Sequence, residues 1–207
     1  MRGTVGSGAV GRRTDLGEEA FAMRSVTFSM SMSVDGYIAG PDGTFDWSEP
    51  DPELFRFATD EVRGLGVHLL GRRLYETMLY WESVTDLDAD ELVFAELWNA
   101  LPKVVFSRTL TEVHGRNARL ATGTVAEEIE RLRAESGAGN IGVGGSGLAS
   151  EAARLGLIDE YRVRTYPVVV GGGTPFFGKG GERVDLELLE TRQFNGGVTF
   201  SHFRVRR

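Results

Sequence analysis

The feature that most restricts the fold of this chain is an order that recurs from Met23 onward: a short apolar run of strand length, then a longer stretch with helical spacing. Residues 24–33 alternate apolar and polar side chains (Val26, Phe28, Met30, Met32), the period of a strand. Residues 50–65 place Leu54, Phe55, Ala58, Val62 and Leu65 along one side of a helix. A strand at 67–70 precedes a helix at 72–80, and a helix at 88–101 precedes a strand at 103–106. A strand at 116–121 leads to Thr124, whose hydroxyl suits the start of a helix carrying Val125, Ile129 and Leu132. A strand at 140–143 is followed by a helix bearing Leu148, Ala152 and Leu155. Short apolar strands connected through helices are buried on both faces only in a mostly parallel sheet clad by helices.

The C-terminal region breaks this order. Residues 160–170 read as a strand, residues 171–173 as a glycine hinge or bulge, and strands at 184–194 and 198–205 flank Asn195-Gly196, a hairpin turn. The alternation changes phase between Phe200 and Phe203, which predicts a bulge or burial on both faces. The expected architecture is therefore a three-layer α/β/α fold, its sheet mostly parallel with an antiparallel C-terminal hairpin. Residues 23–207 form one domain without a linker or internal repeat. Residues 1–22, rich in glycine, arginine and small polar residues, read as a disordered tail.

Charge and composition narrow the function. A formal net charge of -7 argues against nucleic-acid or anionic-membrane partners and points to a small-molecule substrate. With no cysteine there is no disulfide framework and no thiolate nucleophile, which suits a cytoplasmic protein. His68, His114 and His202 are dispersed, so no metal site is predicted, and no Ser–His–Asp arrangement is evident. His68, inside an apolar strand, reads as a core histidine.

In open α/β sheets, ligands bind beyond the carboxyl ends of the strands. Three predicted strand ends carry groups suited to a phosphorylated dinucleotide. Gly71-Arg72-Arg73 combines close backbone approach, the free amides of a helix start and two guanidinium forks. Ser107 and Arg108 add a hydroxyl and a further guanidinium. Gly144-Gly145-Ser146-Gly147, followed by Leu148, is a glycine turn entering a helix that could cradle a pyrophosphate. Arginine in place of a ribose-binding acid favours NADP over NAD. Gly142, Gly144 and Gly147 also satisfy G-x-G-x-x-G, but the further βαβ unit that a Rossmann domain requires does not follow.

Ser33-Val34-Asp35-Gly36-Tyr37-Ile38-Ala39 resembles an S-x-D-G-x-I-A signature, Leu70 through Glu76 resembles a second cofactor motif, and Val143 through Gly147 a third. Together these resemble the dihydrofolate reductase superfamily, in particular its branch related to the reductase domain of riboflavin biosynthesis, from Met23 to the C-terminus. The resemblance implies a reductase that uses NADPH, with a ribosylaminopyrimidine as substrate, and a homodimer. It implies that Gly71, Arg72 and Arg73, helped by Ser107 and Arg108, hold the adenosine 2′-phosphate and pyrophosphate side. Gly144, Gly145, Ser146, Gly147 and Leu148 would line the pyrophosphate and nicotinamide ribose. Ile38 and Ala39 would pack near the nicotinamide, and the loop 40–47 would close as a lid.

Two departures bear on the substrate. The carboxylate that supports protonation in dihydrofolate reductases proper falls, by position, at about Phe55, beside Leu54 and Phe57, and no acid matches; Glu53, the nearest, points elsewhere on helical geometry. Arg164 takes the place of a small polar residue near that missing acid and, if the strand register holds, predicts a cationic pocket for an anionic or phosphorylated substrate. Asp35 and Arg164 are the catalytic candidates, and Tyr37, Trp47 and Phe55 the substrate-side ones. Asp35 has a second reading as a turn aspartate beside Gly36, and Trp47 as ordinary packing. A dihydrofolate reductase with a relocated acid, or a non-catalytic nucleotide- or flavin-binding protein, are the alternatives.

Overall fold

The computed structural model describes residues 24–135, 137–178 and 182–207; the expected tail at 1–22 lies outside them. β1 (Val26–Ser33) and a short β2 (Tyr37–Ala39) lead to α1 (Pro52–Arg63), and β3 (Leu65–Gly71) runs straight into α2 (Arg72–Met78), followed by α3 (Tyr80–Ser83) and α4 (Ala89–Ala100). β4 (Lys103–Phe106), β5 (Ala118–Leu120), α5 (Val125–Ala134), β6 (Asn140–Gly144) and α6 (Ser146–Arg154) continue the alternation. β7 (Glu160–Tyr166), β8 (Thr174–Pro175), β9 (Leu186–Gln193) and β10 (Thr199–Val205) close it.

Local chemistry sets the helix starts. Asp51 accepts the amide of Leu54 at 2.8 Å, with Pro52 at the first helical position of α1. Asp88 with Glu91, and Thr124 with Glu127, satisfy each other's backbone amides at the starts of α4 and α5.

Eight strands form one sheet in the order β5-β4-β3-β6-β1-β7-β10-β9. β5 through β7 in that order are all parallel, and β10 is antiparallel to both its neighbours. The register shift between His202 and Phe203 is the bulge that the change of phase predicts. Val26, Phe28, Leu69 and Val143 face Ile129 of α5 and Leu148 and Ala152 of α6. On the other face Leu70 and Val105 meet Tyr75 of α2 and Phe94 and Trp98 of α4. Leu54 of α1 packs with Tyr166, Phe194, Val198 and Phe200. These are the three expected layers. No helix among the described residues is long and apolar enough to cross a membrane.

Three expectations change. The strand expected over 160–170 ends at Tyr166, because Pro167 has no amide to extend the ladder. The chain then turns back, so that Val34 donates to the carbonyl of Val168 and β8 pairs with β2. A Cβ on Gly173 would lie 2.1 Å from the Ala39 carbonyl oxygen, so at the end of the 171–173 run Gly173 builds a close approach between two backbones rather than a hinge. The helix expected over 72–80 divides after Met78.

One irregularity positions the site. β1 pairs with β6 only from Val26 to Phe28, opposite Ile141 to Val143, whereas β1 runs on beside β7 to Ser33. The sheet therefore opens at its carboxyl edge between β1 and β6. There the chain leaves β1 toward β3 and leaves β6 toward β7, in opposite senses, which is the place where open α/β sheets hold ligands.

Candidate active site

Parallel pairing makes neighbours of residues distant in sequence. Gly71 is level with Phe106, and Leu70 with Gly144, so the turns after β3, β4 and β6 stand side by side on one edge. Gly145 has φ +93, and a Cβ there would be 3.6 Å from both N and Cα of Gly71. Two turns thus nearly touch through bare backbone. A Cβ on Gly147 would meet nothing within 4 Å, which leaves open ground over the first turn of α6. No side chain caps α6, and the amides of Ser146, Gly147 and Leu148 have no intrahelical acceptor. Arg72, Arg73 and Arg108 are exposed nearby, Arg72 3.7 Å from Glu76 in a loose pair. Ser107 spends its hydroxyl oxygen on the amides of Thr109 and Leu110, at 3.1 and 2.9 Å, which shapes the turn that presents Arg108. Bare amides, an uncapped helix start and exposed guanidiniums are the donor set that a dinucleotide's phosphates require.

On the other side of the opening, Asp35 accepts the amides of Val170 and Gly171 at 3.2 and 2.8 Å. The Ser33 hydroxyl, then the backbone amides of Gly171 and Val170, hold its carboxyl below the ordinary range despite some desolvation. Asp35 therefore ties the turn after β1 to the loop after β7. Tyr37, Ile38 and Ala39 are half-buried on β2, with Ile38 against the core. The 40–47 loop is closed by its own bonds: Asp42 accepts from the amide and hydroxyl of Thr44, at 3.0 and 2.8 Å. Trp47 meets Tyr166 edge-on with ring centroids 5.8 Å apart, and its buried indole Nε1 has no partner.

Beneath α1 lies a charged layer. The polar face of β1 presents Thr27, Ser29 and Ser31, level with Glu160, Arg162 and Arg164 of β7. Glu61 of α1 closes over them. Arg164 donates to Glu61 and to Ser29 Oγ at 3.0 Å, and Ser29 donates to Glu61 at 3.2 Å. Arg162 lies 3.3 Å from Glu160 and 3.8 Å from Glu61, and His202 Nε2 is 2.9 Å from Glu160. A cavity of about 210 Å³ opens between this layer and α1, lined also by Ala58, Val62, His68 and Gly142.

Arg164 thus faces α1, as the register reading requires, but Glu61 and Glu160 balance the guanidiniums, so the cavity is not cationic. Glu61 is the residue that reading by position missed. Leu54, Ala58, Glu61 and Leu65 recur at helical spacing, and an acid on that inward stripe is the signal that would have found it. Phe55 packs with Trp81 and Phe94 at 6.1 and 5.6 Å, and does not line the cavity. Glu53 points away from the cavity, bonded to Arg192 at 2.6 Å.

Residues 24–200 match the family profile described as the RibD C-terminal domain. The chain is 31% identical over 178 residues to the uncharacterized protein YyaP of Bacillus subtilis (strain 168), covering 84% of this chain and 92% of that one. To YwjB of the same organism it is 27% identical over 183 residues, covering 88% and 99%. Among solved structures, a protein of Shewanella sp. PV-4 described as a candidate riboflavin biosynthesis protein superposes with a TM-score of 0.72 at 23% identity, covering 89% of this chain and all 100% of that one. A pyrimidine reductase-like protein of Corynebacterium diphtheriae has a TM-score of 0.63 at 14% identity, covering 89% and 92%. At these identities the structures establish a shared fold.

Proposed function

The chain belongs to the RibD C-terminal domain family, and from that premise we propose that it is an NADPH-dependent reductase of a small heterocyclic substrate, resembling the 5-amino-6-(5-phosphoribosylamino)uracil reductase of riboflavin biosynthesis. The observation that carries the reading is the opening between β1 and β6, flanked by three adjacent turns rich in bare amides and guanidiniums. Gly71, Arg72 and Arg73, with Arg108, hold the 2′-phosphate and pyrophosphate side, and the Ser107 turn presents Arg108. Gly144 through Leu148 offer amides to the pyrophosphate. Ile38 and Ala39, on the lid side of the opening, pack against the nicotinamide.

When bound, NADPH supplies the hydride; orientation, electrostatics and exclusion of water fall to the protein. Asp35 fixes the lid-side turn by its hold on Val170 and Gly171. Trp47, wedged on Tyr166, anchors the end of the 40–47 segment, which in this reading closes over the opening and shields the reacting atoms from water. The substrate enters on the α1 face, beside Arg164 and Glu61.

Glu61 also favours a second reading, a dihydrofolate reductase with its acid relocated along α1. Assays of NADPH oxidation with the ribosylaminopyrimidine and with dihydrofolate separate the two. Tight NADPH binding without consumption across both would instead favour a non-catalytic nucleotide-binding role. The absence of any calorimetric heat with NADPH would overturn the cofactor assignment. As a partner we propose a second copy of the chain covering β9, an edge strand whose Leu188 is 56% exposed; sedimentation as a monomer would refute it.

A further inference from the structure

The cavity beneath α1 has a wall to which the proposed function gives no role. His68 of β3 lies over the backbone of β6: a Cβ on Gly142 would sit 2.6 Å from His68 Cδ2, and one on Gly144 2.6 Å from His68 Cε1. Only glycine at both positions leaves room for the ring. Trp98 meets the ring at a steep angle, with centroids 5.6 Å apart. Burial, reinforced by the charge of Lys103, pushes the imidazole pKa down to about 4, outweighing a contact with the Leu69 backbone. The ring is therefore uncharged at neutral pH, one nitrogen a donor and the other an acceptor.

His68 Nδ1 is buried without a hydrogen-bond partner, and so are Thr27 Oγ1 and Arg162 Nε. Those three residues line the same cavity, and they account for half of the six such atoms among the described residues. Buried polar atoms are seldom left unpaired, so their concentration around one cavity offers the polar edge of a ligand groups to pair with. The remaining wall is apolar, formed by Val62, Leu74, Met78 and Phe94. A cavity of about 150 Å³ holds one benzene; at about 210 Å³ this one accommodates one or two fused rings. Two guanidiniums are already matched by two carboxylates, so nothing in the cavity calls for an anion.

We propose that this cavity binds the flat, uncharged heterocycle of the substrate, and that His68, with Thr27, is the specificity residue that reads an edge carrying adjacent N–H and C=O groups. Calling the ligand the substrate rests on the reductase reading; any sugar or phosphate it bears lies outside, toward the opening between β1 and β6.

The test is a fluorescence titration of the full chain with lumazine (2,4-dioxopteridine) and with 1,3-dimethyllumazine, which has the same rings but no imide N–H, each with and without saturating NADP⁺. Lumazine is expected to bind at least about tenfold more tightly than its dimethyl analogue, as for a site built to pair a polar edge. His68→Phe is expected to remove that preference while leaving NADP⁺ affinity unchanged. Thr27→Val, a smaller change, is expected to reduce it severalfold and serves if His68→Phe does not fold. Equal binding of the two lumazines, or a preference that survives both substitutions, overturns the proposal, as does NADP⁺ binding with no lumazine binding at all. Lumazine selectivity in a protein that fails to bind NADP⁺ supports the cavity assignment and overturns the cofactor reading instead.

Discussion

Glu61 of α1 and Arg164 of β7 form an ion pair that also engages Ser29, with side chains only 10% and 13% exposed. Each charge is tolerable there chiefly because the other is present, with Arg162 a more distant second partner of Glu61 at 3.8 Å. Removing one partner of a buried pair costs roughly 3–5 kcal/mol, whereas replacing both by apolar groups is often neutral. Glu61→Ala should therefore lower the unfolding free energy by about 3 kcal/mol or more, and Glu61→Ala with Arg164→Met should regain most of it. Urea unfolding measures both; a single variant within about 1 kcal/mol of the parent, inside the range of exposed pairs, would show that the pair is solvated.

His68 makes stability depend on acid. Its pKa falls from 6.5 to about 4 on folding. Above pH 6.5 both states carry a neutral ring, and the shift contributes nothing. Between 6.5 and 4 the unfolded chain binds a proton that the native chain refuses, so stability drops as pH falls, by about 3 kcal/mol in all from this residue. Unfolding free energies of the parent and His68→Gln, measured from neutral pH down to 4.5, should diverge in slope across this window. Parallel curves would mean the ring is protonated in the native state.

Asp35 acts locally. It is exposed, and its bonds to the Val170 and Gly171 amides join two loops without burying either. Asp35→Ala is expected to accelerate hydrogen exchange at those two amides by about five- to tenfold, the worth of one net hydrogen bond, with little change in the global midpoint. Since the carboxyl is held below its ordinary pKa, the clamp persists above that ordinary value and is lost as pH falls through the lowered one. At neutral pH it is fully engaged.

The contrast between these residues shows what could be read from the chain alone. Thr124 announced its helix because a cap acts within four residues. The gathering of Gly71, Arg108 and Gly145 on one edge followed from topology, since parallel strands all end on the same side. The β2–β8 pair was not legible: strands of three and two residues have no period, and what creates them is the approach of Gly173 to Ala39 across more than a hundred residues of chain. Arg164 could be assigned to a face by counting along its strand. The partner opposite it could not, because alternation says which way a side chain points and not what another element places there. A cationic pocket was the result of knowing Arg164 without Glu61.

The proposed cofactor preference turns on arginines that have little else to do. Arg72 has one loose exposed contact with Glu76, and Arg73 and Arg108 have no carboxylate partner among the described residues. Exposed and weakly paired, none contributes much to folding, so substitution separates binding from stability. A 2′-phosphate held by guanidinium forks gains charged hydrogen bonds of roughly 1.5–3 kcal/mol each, about ten- to a hundredfold in affinity. NADH lacks that phosphate and should be indifferent to the change. Arg72→Ala and Arg73→Ala are therefore expected to raise KM for NADPH by about tenfold or more, with kcat and the KM for NADH nearly unchanged. If each substitution weakens both dinucleotides equally, the arginines meet the pyrophosphate that both share. If neither changes, the phosphates lie elsewhere on the edge, and the role assigned to the Gly71 turn is wrong.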